Sequence, residues 1–391
     1  MTQPVKVEPD LNFIRRMNKL GGDSLKKCYQ CATCSVVCGR SPDKTPFPRK
    51  EMLWAQWGLR DRLIVDPDVW LCYQCSDCSV HCPRGARPGD VLAAARSAAI
   101  EHYAIPRFLP RAINSLAALP LLILFAAGII FLLVYLSGNE TIGWGFSVPT
   151  PPPVDGHYPG GYFGNFLKHG PVEMIFIGGN FLVFALAGFS MMRFWKDMKK
   201  AFGTKDSPSF IQCVILAVKE IVLHGSFKDC TANRARYISH LLVFYGFFAA
   251  MATAGLAVFD LKVLGNDPPL PFFHPIKILG NSSFIALVLG CLLIIIQRLK
   301  NKDAVGKGHY SDWLFLLAIF TVALTGGLTQ LGRNLDLDPP TLSYVFYFIH
   351  MTAVFFLLWY APYSKFAHMF YRTLAMVFAH ASGRIKERTD A

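Results

Sequence analysis

Apolar and polar positions alternate in two different ways along this chain, and the change comes near residue 108. Before it, apolar residues recur at helical spacing among polar ones. Residues 10–19, 49–59 and 90–102 read as amphipathic helices, separated by Pro- and Gly-containing breaks at 41–48 and 83–89. Pro106 and Pro110 then mark a hinge. After it, six stretches are apolar over a length that crosses a hydrocarbon core of about 30 Å. They are residues 112–136, 171–195, 237–259, 276–297, 313–331 and 342–362. Pro120 is tolerable near the start of a membrane helix. Residues 210–224 are apolar on one face but carry Lys219 and Glu220, and read as an interfacial helix instead of a span. The pattern predicts an all-α chain with a soluble domain over residues 1–108 and a six-helix transmembrane bundle over 109–391.

Composition agrees, with 53% hydrophobic and only 17% charged residues. A net charge of +13 would suggest nucleic acid in a soluble protein. Its distribution argues for a membrane instead. With the N-terminus inside, the inner loops and tail hold eighteen Lys and Arg. The outer loops hold four: Lys168, Lys262, Lys277 and Arg333. The seventeen up to Arg111 lie inside as well. This is a positive-inside signal. It predicts a multi-pass protein of the inner (cytoplasmic) membrane with both termini cytoplasmic, touching lipid and protein partners but no nucleic acid. The first ten residues are polar, so no secretory leader is expected. Residues 137–170, with Pro149, Pro151, Pro152 and Pro153, are expected to extend outside the bilayer.

Eight of the eleven cysteines form two runs of C-x2-C-x2-C-x3-C, the second followed by Pro83. This is the spacing of a protein holding two [4Fe–4S] clusters, in which the fourth Cys of each run ligates the other cluster. One cluster is then held by Cys28, Cys31, Cys34 and Cys82, the other by Cys72, Cys75, Cys78 and Cys38. Zinc takes four ligands in C-x2-C pairs and has no use for this spacing. Cys291, in mid-span, reads as a small apolar filler, and Cys213 and Cys230 have no ligand spacing.

Ionisable residues inside a membrane point to function. His240 opens the third span, His350 lies in the outer half of the sixth, and His368 follows at its inner end. On one continuous helix, His350 and His368 would share a face about 27 Å apart, as two haem ligands stacked across a bilayer would. His240 and His368, at similar depth, form the natural pair for an inner bis-His haem b, with Gly246, Ala249 and Ala250 leaving room for a flat macrocycle. His350 marks a second, outer haem whose partner stays open between His169, His274 and Met251, the remaining alternative being no second haem. There is no C-x-x-C-H, so no covalently attached haem is expected. Glu173 and Lys277, one turn beyond His169 and three residues beyond His274, are polar groups in the outer leaflet suited to a quinone site. Interfacial anchoring is the plainer role for both.

The Cys runs resemble those of the small iron–sulfur subunit of heterodisulfide reductase. The segments RYISHLL, SDWLFLLAIF and IHMTAVFFLLWYAPYSKFAHMF resemble the cytochrome b subunit of that enzyme and, more distantly, the gamma subunit of respiratory nitrate reductase. Their fusion in one chain resembles the fused membrane-subunit family of quinone-interacting membrane-bound oxidoreductase complexes of sulfate-reducing bacteria. The resemblance implies a two-cluster ferredoxin-like domain followed by a cytochrome b bundle. It further implies oxidation of menaquinol, a relay through haem b and the clusters, and two flavin- and iron–sulfur-containing partner subunits. The final acceptor would be adenylylsulfate reductase. An equivalent subunit of a heterodisulfide reductase-like complex, or a membrane redox sensor, are the alternatives. The nitrate reductase pattern places a second His on the third span, where this chain has Ala250.

Overall fold

The computed structural model describes residues 7–42, 44–136, 166–167, 169–204, 209–225, 227, 234–266, 270–300, 308–334 and 341–385. Among these the backbone is helix, turn or irregular, with no strand. Eight helices precede the bundle: α1 (Leu11–Lys19), α2 (Thr33–Val36), α3 (Arg49–Gln56), α4 (Arg60–Val65), α5 (Asp68–Leu71), α6 (Asp77–Val80), α7 (Pro88–Tyr103) and α8 (Phe108–Ile113). Local chemistry sets their ends. The Asp10 carboxylate caps α1 by accepting from the Phe13 N–H at 2.9 Å, and Pro88 occupies the first turn of α7. Gly58 has φ of +65° and lies against the Asp10 backbone, where a Cβ would come within 2.8 Å.

The remaining helices are α9 (Leu119–Leu136), α10 (His169–Glu173), α11 (Asn180–Phe202), α12 (Phe210–Leu223), α13 (Arg234–Phe259), α14 (Pro275–Lys300), α15 (Tyr310–Asn334), α16 (Thr341–Trp359) and α17 (His368–Ala381). Six helical segments are long and apolar enough to cross a membrane: Leu116–Tyr135, Gly170–Phe202, Arg236–Leu264, Pro275–Lys300, Tyr310–Gly332 and Leu342–Trp359. The second joins α10 to α11 through a π-helical turn, Met174–Gly179. A Cβ on Gly179 would collide with the Trp359 indole at 2.3 Å. The glycine therefore admits α16 against this turn. α12 opens with a capping box between Ser209 and Gln212. It buries Cys213 and Ala217 and exposes Ile211, Ile215, Val218 and Val222.

Three features differ from the sequence reading. First, the sixth span stops at Trp359, and two 3-10 turns, Ala361–Tyr363 and Lys365–Ala367, precede α17. Pro362 and the Ser364 side chain, which accepts from the Phe366 N–H, interrupt the helix. His350 and His368 therefore lie on different helices, and the common-face argument does not apply. Second, Gly246 makes no room for a macrocycle. A Cβ there would stand 3.0 Å from Leu287, and one on Gly290 would stand 2.8 Å from Val243. These glycines allow the close α13–α14 crossing. Third, the core ignores residue 108. Trp70, Tyr103, Phe194 and Tyr371, all fully buried, come from α5, α7, α11 and α17. The Trp70 and Tyr371 rings stack 5.0 Å apart. The N-terminal domain is closed by one end of a membrane helix, α11, and by α17, the last described helix.

Candidate functional site

The two Cys loops, residues 28–34 and 72–78, share one backbone design. In each, the residue two after the first Cys has a left-handed φ (Gln30, +62°; Gln74, +52°), as does the residue before the short helix (Ala32, +69°; Ser76, +77°). These turns point the Gln30 N–H at Cys28 Sγ, 3.4 Å away, and the Gln74 N–H at Cys72 Sγ, 3.2 Å away. N–H donors on ligand sulfurs are a means by which a protein tunes a cluster.

The sulfurs interleave between the runs. Cys38 lies close enough to Cys72 and Cys75 for their charges to interact, and Cys78 feels Cys72, Cys75 and Cys38. Cys28 feels Cys82 and Cys31, and Cys34 feels Cys28 and Cys31. Burial pushes the Cys34 thiol up to about 11 and that of Cys38 to about 12. A thiol is a ligand only as thiolate, so a bound cationic cluster core must offset that burial. Among the described residues no three cysteine sulfurs lie within 4.8 Å of one another. A zinc tetrahedron with bonds of about 2.3 Å needs closer sulfurs; the corners of an iron–sulfur cubane stand wider. The donor set fits two [4Fe–4S] clusters.

The loops face opposite ways. Tyr29, 68% exposed, lies under the Arg84 guanidinium at 4.1 Å, and Cys31 is exposed beside it. The equivalent Tyr73 faces the membrane part. It stacks on Phe227 at 5.3 Å, carries Arg372 4.0 Å from its ring centre and donates to Glu220 at 2.8 Å.

Beneath the second loop lies a cavity of about 290 Å³. Cys72 and Gln74 line it from above, Arg236 and His240 from α13, and Lys365, His368 and Arg372 from the end of the chain. The His368 Nδ1–H donates to the Lys365 carbonyl at 2.6 Å, leaving Nε2 as the lone-pair nitrogen. Burial lowers the His368 pKa to about 4, keeping the ring neutral as a metal ligand must be. His240 Nδ1 is buried without a hydrogen-bond partner among the described residues, and so is Arg298 Nη1 at the cavity edge. Five cations (Arg96, Arg236, Arg298, Lys365, Arg372) line the cavity against three carboxylates, and Lys365 pairs with Asp312. Two imidazoles and an excess of positive charge suit a planar metal macrocycle bearing carboxylates, which is the chemistry of haem b.

The sequence reading missed His224, which ends α12 and also lines this cavity, its ring 5.2 Å from that of His240. Its signal was weak, since it follows a polar-flanked helix instead of sitting within a span. The arginines were missed as well, counted only as inside charge.

Other candidates lie elsewhere. His350 is outside this cavity: its Nδ1 contacts the Val322 carbonyl at 3.0 Å and Thr325 Oγ1 at 3.3 Å. Gly326 makes room for it, since a Cβ there would come within 2.9 Å of the ring. His274 Nδ1 is buried without a hydrogen-bond partner among the described residues. The side chain of His169 lies outside the described residues. Met251 is 51% exposed on the apolar surface, the wrong place for a haem ligand. Glu173 pairs with Lys262 at 2.8 Å, tying α10 to the end of the third span. Lys277 is half-buried on α14.

Comparison with known proteins supports this two-part construction. Residues 24–86 match the 4Fe–4S dicluster domain family. The C subunit of the H2:CoB–CoM heterodisulfide, ferredoxin reductase of Methanothermobacter marburgensis is 38% identical over 91 residues, 23% of this chain and 49% of the relative. The E subunit of the dihydromethanophenazine:CoB–CoM heterodisulfide reductase of Methanosarcina acetivorans is 26% identical over 152 residues, 36% of this chain and 58% of the relative. Citrate utilization protein B of Escherichia coli is 25% identical over 295 residues, 73% of each chain. The chain spans about half the length of the first of these relatives. No solved structure matches. The chain thus joins an iron–sulfur dicluster domain, similar to the first of these reductase subunits, to a membrane part similar to the second.

Proposed function

We propose that this chain is the membrane subunit of a quinol-dependent oxidoreductase. It oxidises menaquinol, relays electrons through haem b and two [4Fe–4S] clusters, and delivers them to soluble flavin- and iron–sulfur-containing subunits. The final acceptor is adenylylsulfate reductase. The observation that carries the reading is the cavity lined by both His240 and His368 beneath the loop of Cys72. A haem held there supplies one-electron exchange between a two-electron quinol and one-electron clusters. The chain's own residues do the rest. Lys365 fixes the His368 tautomer through its carbonyl, the cavity arginines supply countercharge for carboxylates, and the second Cys loop sits at the cavity roof. The first Cys loop, with exposed Tyr29 and Cys31, is the exit toward a partner. His350, whose Nδ1 contacts the Val322 carbonyl, would help hold an outer haem together with His169 or His274. The excess of Lys and Arg in the loops read as inner supports a cytoplasmic side for both termini.

The purified protein tests this. Wild type should show a haem b α-band on reduction and about eight non-haem irons per chain, the content of two cubanes. H240A and H368A should each lose the inner haem and keep the iron, and a menaquinol analogue should reduce the wild-type haem. A protein with eight irons but no α-band would sink the haem reading. The similarity to two heterodisulfide reductase subunits favours one second reading, an equivalent subunit of a complex that reduces heterodisulfides. Which soluble subunits co-purify separates the two.

A further inference from the structure

Three arginines from three distant parts of the chain converge on the backbone of the second Cys loop. Arg96, from α7, donates to the Val69 carbonyl at 2.9 Å and to the Cys72 carbonyl at 2.8 Å. Arg372, from α17, donates to the carbonyls of Trp70 at 3.1 Å and Cys72 at 3.0 Å. Arg236, from α13, donates to the Gln74 carbonyl. Two of them are in register with the cavity histidines. Arg236 stands four residues before His240 and Arg372 four after His368, one helical turn away on the same face. Each histidine helix is strapped to the cluster loop by its own guanidinium.

The first Cys loop is built differently at the matching place. The Cys28 carbonyl, equivalent to that of Cys72, accepts from the neutral amide of Gln56 at 2.9 Å. The arginine that reaches that loop's backbone is exposed Arg49, which donates to the Gln30 carbonyl at 3.1 Å. Around Cys72, by contrast, Arg96 and Arg372 are half-buried, and neither forms an ion pair with a carboxylate among the described residues. Three acidic side chains face this region, fewer than the cations, and two of them also touch the loop, Asp90 through Gln74 and Glu220 through Tyr73. Asp90 pairs with Arg87, Asp312 with Lys365, and Glu220 accepts from Tyr73.

Positive charge beside a cluster favours the state carrying one more electron, and it acts strongly where water does not screen it. We propose that Arg96, Arg236 and Arg372 are positioning residues that raise the reduction potential of the cluster held by Cys72, Cys75, Cys78 and Cys38 above that of its twin. The two Cys runs have the same spacing, so the difference comes from their surroundings, of which these three side chains are the charged part. It would make the membrane-side cluster the one that can take an electron from a donor as weakly reducing as a quinol. The inference rests on the two-cluster reading above and is independent of whether the cavity binds haem.

The test is a redox titration of the full-length protein in detergent, followed by electron paramagnetic resonance of the reduced clusters. In R372Q and R96Q one cluster should become harder to reduce while the other does not move. At the potential where it is half reduced in wild type, its reduced-to-oxidised ratio should fall at least tenfold, about 59 mV for a one-electron couple. R372K, which keeps the charge but loses the forked donor, should recover most of the shift. A complementary variant guards against misfolding: Q56R places a guanidinium at the Cys28 carbonyl and should raise the potential of the other cluster. Unchanged titrations with both clusters present, or equal shifts in both, overturn the inference. So does loss of iron in the Gln variants together with an unmoved potential in Q56R. Absence of any cluster signal in wild type would instead overturn the underlying two-cluster reading.

Discussion

At the scale of single residues, the molecule places ionisable side chains where their environment decides their state. Lys50 lies 3.2, 2.9 and 2.7 Å from carboxylate oxygens of Glu51, Asp66 and Asp68, and Arg384 reaches Asp68 at 2.6 Å. All three carboxylates are buried. Three acids against two bases leave one carboxylate uncompensated. Burial, then the nearby Asp66, pushes the Glu51 pKa well above the usual carboxylate range. A raised folded-state pKa means the native protein holds this proton more tightly than the unfolded chain does. Its contribution therefore fades as pH rises toward and through that value. Thermal unfolding of the detergent-solubilised protein should show wild type losing stability from pH 6 to pH 8 relative to E51Q. E51Q should be at least as stable as wild type at pH 8. In contrast, K50M strands the acids and should cost about 3–5 kcal/mol. Equal pH dependence in wild type and E51Q would refute the assignment of the proton.

Residue chemistry was partly legible beforehand. The dicluster domain could be read from the cysteine spacing because ligand sets leave regular intervals, and His240 and His368, which line one cavity, stand out as costly polar groups beside apolar runs. His224 and the arginines could not, because a basic residue near a membrane surface looks the same whether it meets lipid or a cluster loop. Gly246 was misread for a related reason: a small residue leaves space, but the chain does not say whether a cofactor or a neighbouring helix fills it.

At the scale of elements, the decisive piece is α17. It carries His368 and Arg372 on one side and Tyr371 on another, so one helix serves both the cavity and the core of the cluster domain. Tyr371 is 1% exposed and stacks on Trp70, two residues before Cys72. Y371A should cost about 3–5 kcal/mol by leaving a large cavity. It should also lower the iron content of the second cluster before the first, measured by iron analysis and electron paramagnetic resonance. Loss of both in parallel would argue against this local coupling. The close α13–α14 crossing gives a second expectation. A leucine at Gly290 meets Val243 and Leu242 at or within 3.0 Å of its Cβ. It should therefore force the helices apart and lower the yield of folded protein in size-exclusion profiles. Hydropathy gave six spans with ends within seven residues of those observed, because continuous apolar runs are hard to mistake. The stop at Trp359 was missed because 342–362 is predominantly apolar and holds no Asp, Glu, Lys or Arg, and its interruption depends on Pro362 and the Ser364 cap.

At the scale of the whole molecule, the two Cys loops form a polar axis. One loop, with Tyr73, looks into the histidine cavity; the other, with Tyr29 and Cys31, looks outward. Lys26, Lys27, Arg49 and Arg84 are exposed around the outward loop. Electron transfer to a soluble partner there should slow as ionic strength rises, since screening shortens the reach of charge to about 8 Å at physiological salt. Stopped-flow oxidation of the reduced protein by its partner subunits at low and at high salt would measure this; a salt-independent rate would place the exit elsewhere. The orientation drawn from charge makes its own statement. Tags at either end should both be cleaved in inverted vesicles and both be protected in sealed spheroplasts.

The stacking of Trp70 on Tyr371 also imposes an order on biogenesis. The cysteines leave the ribosome early, yet the helix that closes over them follows roughly 290 residues later. At about 5–20 residues per second, that leaves an interval on the order of 15–60 s. During it the nascent domain is open at its floor while the intervening helices enter the bilayer. Metallocluster delivery and membrane integration are thereby placed on one clock. A ribosome stalled after the sixth span would carry cluster loops that iron can enter and oxygen can still reach.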